Sequence, residues 1–261
     1  RLSSLQSGIV MSGPNKLTRA YLMKQVARNL PAVDKIRERS QVAAGRVIPS
    51  SGDLPLHAGR RIDATVMFLD ISKFSSRPSW TDMEQENNLR VLSLFFSEMI
   101  RIVLDYGGTV EKNTGDGLMA YFTRNAASGV TSQQTAVAAA LTMFCAGKTI
   151  VNPLIQNAGL MPLDFRICLD HGPITIAQVG VARDFSGIVA IGTTANIASK
   201  MLAFADPNTI LVGTKVYEGL PALWQSEYVT FKTAETGWFY TDNNVPYAFW
   251  LYHGRWNIPT A

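Results

Sequence analysis

The amino-acid sequence predicts an α+β fold of the ferredoxin-like type, preceded by a basic helical extension. Two observations carry this prediction. Candidate strands and helices follow one another in the order βαββαβ with later additions, and a shift in composition near residue 60 separates a basic segment from the rest. Hydrophobic residues make up 47% of the 261 residues and charged residues 17%, which is typical of a globular protein with a sizeable core.

The N-terminal segment, residues 1–59, is predicted to be a basic helical extension and linker. Residues 1–60 carry ten Lys and Arg against three acidic residues, a balance of +7, whereas the whole chain carries +4. Residues 16–29 and 33–44 have helical patterns, and the Pro- and Gly-containing residues 49–59 form the linker. Such an arm binds nucleic acid or anionic lipid, or packs on the domain or a second subunit. Packing is favoured, and no nucleic-acid partner is expected, because aromatic residues are not interleaved with the charges.

The predicted domain, residues 60–261, opens with a strand and a long helix. Apolar residues alternate from Ile62 to Phe68, and residues 66–69 are apolar on both faces, so the strand is predicted to be central. A capping box at residues 81–84 (TDME) begins the helix, and Gly107 and Gly108 end it. Its apolar positions recur at helical spacing: Leu89, Leu92, Phe96, Met99 and Val103.

The remaining elements are read from the same periodicities. Residues 109–112 and 118–122 are predicted to form a hairpin, followed by a helix over 133–151. A second hairpin is predicted from residues 163–169 and 174–179 around the turn 171–173 (HGP). A strand, a helix and a short strand follow at 186–191, 194–203 and 210–213, and strands near residue 228 and at 247–252 close the domain.

Two acidic residues stand where strands give way to turns. Asp70 ends the apolar run 66–69, and Asp116 lies in the Gly-Asp-Gly turn of the first predicted hairpin. Paired carboxylates at strand ends can hold hard divalent cations, and cations beside a phosphate-binding turn suggest phosphoryl or nucleotidyl transfer. The alternative interpretations are purely structural: Asp116 would belong to an ordinary Asp-Gly hairpin turn, and Asp70 would cap a helix.

Composition bears on compartment and membrane association. No run approaches 18 consecutive apolar residues and no secretory signal pattern is visible, so no membrane span is expected. Cys145 and Cys168, in a helical and a strand pattern, are interpreted as buried free thiols. Free thiols fit a reducing cytoplasm, and a structural disulfide is the less favoured alternative.

Three segments, taken together, resemble the catalytic domain of the class III nucleotide cyclases. They are residues 68–75 (FLDISKFS), 107–117 (GGTVEKNTGDG) and 192–200 (GTTANIASK), and they occur in the order and with the spacings of that family. The resemblance covers about residues 60–253. One motif alone would be weak, because a Gly-Asp-Gly turn is common, but the ordered set is specific.

The resemblance implies roles at the phosphate end of a nucleoside triphosphate. Asp70 and Asp116, with the backbone carbonyl of Ile71, would bind two Mg²⁺ or Mn²⁺ ions. The turn at Phe74 and Ser75, with Ser76 after it, would bind the triphosphate through free N–H groups at the start of a helix. Lys232 would bind the terminal phosphate; an exposed strand lysine is the alternative.

The third segment implies the transition-state residues. Asn196 and Lys200 are four residues apart on one helix face. In the family, an asparagine at the first position orients the ribose and an arginine at the second neutralises the α-phosphate. Lys200 keeps the charge but lacks the planar guanidinium of arginine. Two outcomes are expected: activity retained with an altered geometry of phosphate contact, or reduced activity. A solvent-facing lysine is the plain alternative.

The base-reading positions depart further from the purine cyclases of the family. Lys112 matches the first of them and could donate to a base carbonyl, whereas Val189 matches the second and offers no hydrogen bond. Uracil presents two carbonyls, so UTP is favoured over CTP. The combination of Lys200 and Val189 resembles the bacterial pyrimidine cyclases of Pycsar antiphage defence.

That resemblance implies the partners. A pyrimidine cyclase of this kind makes cyclic UMP or cyclic CMP on infection, and a separate effector that responds to the cyclic nucleotide arrests or kills the cell. The active site of the family spans two chains, so a head-to-tail homodimer is expected. Two alternatives stay open: an adenylate cyclase with a relaxed base pocket, supported by Lys112, and a cyclase-like module that binds nucleotide without turnover, suggested by Lys200.

Overall fold

The computed structural model describes residues 41–44, 58–113, 115–125, 129–182, 185–232, 236–240 and 243–256. Within these ranges the strands join into one sheet of nine. They are β1 (Gln41–Ala44), β2 (Ala58–Ile71), β3 (Thr109–Asn113), β4 (Gly117–Phe122), β5 (Phe165–Ala182), β6 (Phe185–Ile191), β7 (Ile210–Gly213), β8 (Val229–Lys232) and β9 (Phe249–Tyr252). The sheet order is β3-β4-β2-β5-β7-β9-β8, with β1 paired to β2 and β6 paired to β5.

Helices cover both faces of this sheet. The helices of the described ranges are α1 (Asp82–Asp105), α2 (Ser132–Ala146), α3 (Asn152–Asn157), α4 (Thr193–Met201), α5 (Thr214–Glu218) and α6 (Ala222–Tyr228). A π-helical turn, Gly147–Val151, joins α2 to α3, and a 3₁₀ turn, Leu202–Phe204, follows α4. The mixed sheet with helices against it confirms the predicted α+β class.

Strand β2 lies at the centre of the sheet, as its apolar pattern predicts. It is antiparallel to β4 on one side and to β5 on the other. Met67 and Leu69 face the larger core with α1 and α2, whereas Val66 and Phe68 face a second cluster that includes Ala195 of α4. A strand covered on both faces is apolar at consecutive positions, which explains the run at residues 66–69.

Helix α1 begins and ends at the predicted signals. The Thr81 hydroxyl accepts from the Glu84 N–H, and the Glu84 carboxylate accepts from the Thr81 N–H, so the capping box is confirmed. Gly107 adopts a φ of 69°, which favours glycine and ends the helix. Phe96, Met99 and Val103 are buried, but Leu89 is 64% exposed, so the predicted apolar stripe begins later than expected.

Two element predictions are wrong. Residues 163–179 do not form a hairpin; β5 runs unbroken through His171, Gly172 and Pro173. The reason is tertiary, because β2 supplies a continuous antiparallel partner from Gly59 opposite Ala177 to Ile71 opposite Phe165. The helix predicted over residues 33–44 is also wrong at its end, where Gln41–Ala44 form β1. Residues 16–29 and 33–40 lie outside the described residues.

The domain was predicted to start at residue 60, and β2 begins two residues earlier, at Ala58. The predicted helix over residues 133–151 is present as α2 and the π turn, and helical structure continues to Asn157. This stretch, Ser132–Asn157, is long and apolar enough to cross a membrane by length and composition, but half of its apolar window is buried inside the domain. That burial is typical of a core helix.

Candidate active site

The two predicted metal-binding acids lie at neighbouring strand ends. Asp70 is near the end of β2 and is registered opposite Gly117 of β4, the residue after Asp116. The Ile71 N–H donates to the Asp116 carbonyl oxygen at 2.9 Å, which ties the end of β2 to the turn before β4. Both acidic side chains are half-buried. Antiparallel pairing therefore brings the backbones of two acidic residues close together, although they are 46 residues apart in the sequence.

An arginine that the sequence analysis missed pairs with Asp70. Arg166 of β5 is registered opposite Asp70, and its Nε and Nη2 both donate to Asp70 Oδ2, at 2.9 and 2.8 Å. Its Nη1 donates to the Ala205 carbonyl oxygen at 3.0 Å, so the guanidinium is fixed at both ends. The available signal was a lone arginine between two apolar residues, Phe165 and Ile167, of a predicted strand.

The oxygen chemistry of this corner fits a divalent cation. Asp70 Oδ1 lies outside the Arg166 ion pair, and Ser72 Oγ is buried without a hydrogen-bond partner two residues further on. Among the residues that the structure describes, no cluster of three or more His, Cys, Asp or Glu could hold a metal. Two carboxylates and a backbone carbonyl would leave other coordination positions for water and phosphate oxygens, which is how Mg²⁺ is usually bound in phosphoryl-transfer sites.

The predicted phosphate-binding turn is shorter than expected. A helix was predicted to begin at Phe74, but the chain makes one 3₁₀ turn, Phe74–Ser76, before Arg77 returns to extended backbone ahead of Pro78. Within this turn the Ser76 N–H donates to the Lys73 carbonyl at 3.2 Å. Ser75 is exposed, whereas Phe74 packs against the larger core.

Lys232 lies on the Arg166 side of this corner. Its Nζ donates to the Phe204 carbonyl oxygen at 2.8 Å and pairs with Asp206 at 3.3 Å. Since Arg166 bonds the carbonyl of Ala205 between these two residues, Lys232 and Arg166 hold the same short segment. The structure therefore places one cation, Arg166, on the Asp70 carboxylate and a second, Lys232, on the 204–206 segment that Arg166 also contacts.

The helix α4 carries the predicted transition-state residues on its exposed side. Asn196 and Lys200 are both exposed, one turn apart. The Lys200 ammonium lies 5.9 Å from the centroid of the Trp238 ring, within cation–π range. Trp238 in turn contacts Phe204 edge to face, which links the helix to the segment held by Lys232. Asn196 and Lys200 therefore lie at the surface of the chain.

The two predicted base-reading positions lie on strands that the half-buried Glu111 carboxylate connects. Lys112 is in β3 opposite Met119, and Val189 is in β6 opposite Ala177, with its side chain half-buried. Glu111, next to Lys112, accepts a hydrogen bond from the N–H of Ala190, next to Val189, at 2.8 Å. The sequence analysis assigned no role to Glu111.

A further acidic residue, Asp170, is buried in β5. Asp170 is 5% exposed and accepts a hydrogen bond from the Tyr247 hydroxyl at 2.7 Å. Burial raises the pKa of Asp170 to about 7. Four residues of β5 separate it from Arg166, or about 13 Å along the strand, so it lies outside the corner formed by Asp70 and Asp116. Cys145 and Cys168 are free thiols, as predicted, but only Cys168 is buried as expected, and Cys145 is half-buried.

Comparison with known proteins identifies a family for most of the chain. The adenylate and guanylate cyclase catalytic domain family matches residues 56–237. A uridylate cyclase from Rhodovulum sp. (strain MB263) is 23% identical over 184 residues, which cover 67% of this chain and 73% of that protein. The aggregation-specific adenylate cyclase of Dictyostelium discoideum is 28% identical over 162 residues, which cover 62% of this chain and 10% of that protein.

A solved structure has the same fold. The crystal structure of the guanylyl cyclase Cya2 superposes with a TM-score of 0.63 at 20% identity, covering 76% of this chain and 94% of that one. At this identity the likeness concerns the arrangement of sheet and helices.

Proposed function

Because the chain belongs to the class III adenylate and guanylate cyclase catalytic domain family, we propose that it is a pyrimidine nucleotide cyclase. The proposed reaction converts UTP, or less favourably CTP, to the 3′,5′-cyclic monophosphate and diphosphate. The observation that carries the catalytic part of the proposal is the end of β2, where Arg166 pairs with Asp70 and the backbone of Ile71 bonds that of Asp116. The choice of a pyrimidine rests on Val189 at the second base-reading position and is supported by similarity to a uridylate cyclase.

In the proposed mechanism the 3′-oxygen of the substrate attacks the α-phosphorus, and the bond from phosphorus to the oxygen bridging to the β-phosphate breaks. Asp70, Asp116 and the Ile71 carbonyl would hold two Mg²⁺ or Mn²⁺ ions. When bound, such ions lower the pKa of the attacking hydroxyl and neutralise charge on the leaving diphosphate. The Arg166 guanidinium, held by the Asp70 carboxylate and the Ala205 carbonyl, would supply positive charge beside the phosphates of the substrate.

The remaining predicted residues are assigned to the substrate. Lys232, beside Arg166, would bind the terminal phosphate, and the turn at Phe74 and Ser75 would lie along the triphosphate. Asn196 would orient the ribose, and Lys200 would neutralise charge on the α-phosphate in the transition state. Lys112 would donate to a uracil carbonyl, and Val189 would contact the base without a hydrogen bond.

Two equivalent sites in a head-to-tail homodimer complete the proposal. Lys112 and Asp116 lie at the two ends of one hairpin turn, so they serve different sites if the base and the metals are bound by different chains. The exposed Asn196 and Lys200 are then covered by the partner. The domain division at residue 59, a cytoplasmic location, a role in antiphage defence and a separate effector that binds the cyclic nucleotide belong to the same proposal.

The deciding experiment is mass spectrometry of the products formed from ATP, GTP, CTP and UTP, each incubated separately with Mn²⁺. Cyclic UMP as the main product supports the proposal, and cyclic CMP supports the pyrimidine class. Cyclic AMP as the main product would contradict it and favour the second candidate, an adenylate cyclase, which Lys112 and the similarity to the Dictyostelium enzyme support. No product from any nucleotide, with nucleotide binding retained, would favour the non-catalytic alternative.

A further inference from the structure

Glu111 occupies an irregular position in β3. The pairing of β3 with β4 shifts register between Val110, opposite Ala120, and Lys112, opposite Met119. Glu111 is therefore the extra residue of a β-bulge. A bulge turns a side chain away from the direction that regular alternation would give it. Here it accompanies a half-buried carboxylate beside the first base-reading position.

The Glu111 carboxylate accepts two hydrogen bonds from donors on different strands. The Tyr121 hydroxyl of β4 donates to Oε2, and the Ala190 N–H of β6 donates to the same oxygen at 2.8 Å. Tyr121 is 1% exposed, and burial together with the neighbouring carboxylate raises its pKa well above the usual value, so it stays a donor. Hydrogen bonds to an ionised acceptor are about twice as strong as neutral ones.

This side chain connects strands that the sheet does not pair. Strand β6 pairs with β5, and β3 pairs with β4. In the sheet order, β4, β2 and β5 lie between β3 and β6. The curled sheet brings β3 and β6 near each other, and the Glu111 carboxylate bridges the gap to the backbone of β6. The residues on either side of this bridge are Lys112 on β3 and Val189 on β6.

We propose that Glu111 is a positioning residue that sets the distance between Lys112 and Val189 and thereby the size of the base that the site accepts. The inference rests on the proposed function. The Val189 side chain has no hydrogen-bonding group, so it can select a base only by steric contact. Such selection depends on the position of the Val189 backbone. A fixed, narrow separation suits a pyrimidine, and a looser one admits the larger purine.

The test uses the full chain and compares Glu111→Ala with three further variants. Glu111→Ala removes the bridge, and kcat/KM for UTP relative to ATP is expected to fall by about 10-fold. Glu111→Gln keeps an acceptor for the Ala190 N–H and is expected to restore the ratio to within about threefold of wild type. Glu111→Asp keeps the charge but shortens the side chain by one methylene, so the carboxylate no longer reaches the Ala190 N–H. The ratio of kcat/KM for UTP to that for ATP is expected to fall in this variant as well, and it provides the test if the alanine variant does not fold.

Tyr121→Phe is the matched control. It removes the hydrogen bond from the Tyr121 hydroxyl to the same carboxylate and leaves the bridge to β6, so the ratio is expected to stay near that of wild type while stability falls. If Glu111→Ala lowers kcat/KM equally for UTP and ATP, the inference is overturned, because equal losses would indicate a general loosening of the site and no change in base selection. An equal shift of the ratio in Tyr121→Phe would overturn it for the same reason.

Hydrogen exchange separates this inference from the proposed function. The amide of Ala190 is expected to exchange faster in Glu111→Ala than in wild type or in Tyr121→Phe, a readout that needs no turnover. If wild type makes no cyclic nucleotide, the proposed function fails while faster exchange still supports the bridge. Unchanged exchange at Ala190 in Glu111→Ala would overturn the bridge itself.

Discussion

Arg166 and Asp70 face each other across two central strands, and two guanidinium nitrogens converge on one carboxylate oxygen, at 2.8 and 2.9 Å. This ion pair joins the proposed metal site to the proposed phosphate site. Arg166 thus holds positive charge between the Asp70 carboxylate and the place proposed for a substrate phosphate.

Replacing Arg166 is expected to impair catalysis more than folding. Arg166→Ala should lower kcat/KM for the nucleotide by about 10- to 100-fold, because a cation facing the triphosphate is lost, and Arg166→Lys should recover part of it. The free energy of unfolding should fall by only about 1 kcal/mol, since the pair is partly exposed. Steady-state kinetics and urea unfolding measure the two effects. An unchanged kcat/KM would mean that Arg166 serves Asp70 alone.

Asp116→Asn is expected to abolish product formation and leave the fold intact. The change keeps the shape of the side chain and the Asp116 carbonyl that Ile71 bonds, but removes the charge needed to hold a divalent cation. Product detection by mass spectrometry and circular dichroism report the two properties. Asp105→Asn, at the exposed end of α1, is the matched control and should behave as wild type. Turnover that survives Asp116→Asn would refute the metal assignment.

Lys200 offers a change that should improve the enzyme. Lys200→Arg restores the planar fork and is expected to raise kcat several-fold, whereas Lys200→Ala should lower kcat by about 100-fold with little change in KM. Rapid-quench and steady-state assays with the preferred nucleotide separate the two constants. A wild-type kcat in Lys200→Ala would show that this lysine is a surface residue above Trp238 and takes no part in the reaction.

Activity is expected to depend on protein concentration. If Asn196 and Lys200 act in a site completed by a second chain, specific activity should fall on dilution as dimers dissociate. Initial rates over a wide concentration range, alongside light scattering at each concentration, provide the test. Specific activity that stays constant down to a verified monomer would contradict the homodimer.

Asp170 predicts a pH dependence of stability. Its pKa is about 7 in the folded protein against an ordinary value of 3.8, because burial disfavours the charged form. Between these values the native state holds a proton that the unfolded state has lost, so the free energy of unfolding should decrease as pH rises, by up to about 1.4 kcal/mol per pH unit. The loss is complete above about pH 7.

Asp170→Asn should flatten that dependence. Asparagine still accepts from the Tyr247 hydroxyl, and it cannot ionise. Urea unfolding at several pH values between 4 and 8 should show the variant gaining on wild type as pH rises. Parallel pH profiles of the two proteins would mean that Asp170 titrates near its ordinary value.

Local signals predicted most of the regular elements because those elements depend on local chemistry. Two of these signals, the capping box of α1 and the glycine at its end, depend on contacts within a few residues. The third, the apolar run of β2, reflects faces that must be buried. The predicted hairpin at residues 163–179 failed for the converse reason. Gly172 and Pro173 are typical turn residues, but pairing with β2 along thirteen registered positions keeps β5 extended.

The family and the proposed chemistry could be inferred from ordered motifs, which carry Asp70, Asp116, Asn196 and Lys200 at recognisable spacings. The contacts between charged residues, in contrast, depend on the folded sheet. Arg166 reaches Asp70 through antiparallel register, and Glu111 reaches Ala190 through a bulge and the curl of the sheet. Such contacts join residues 79 to 96 positions apart. Their formation depends on strand pairing over the whole sheet, which no local pattern of residues encodes.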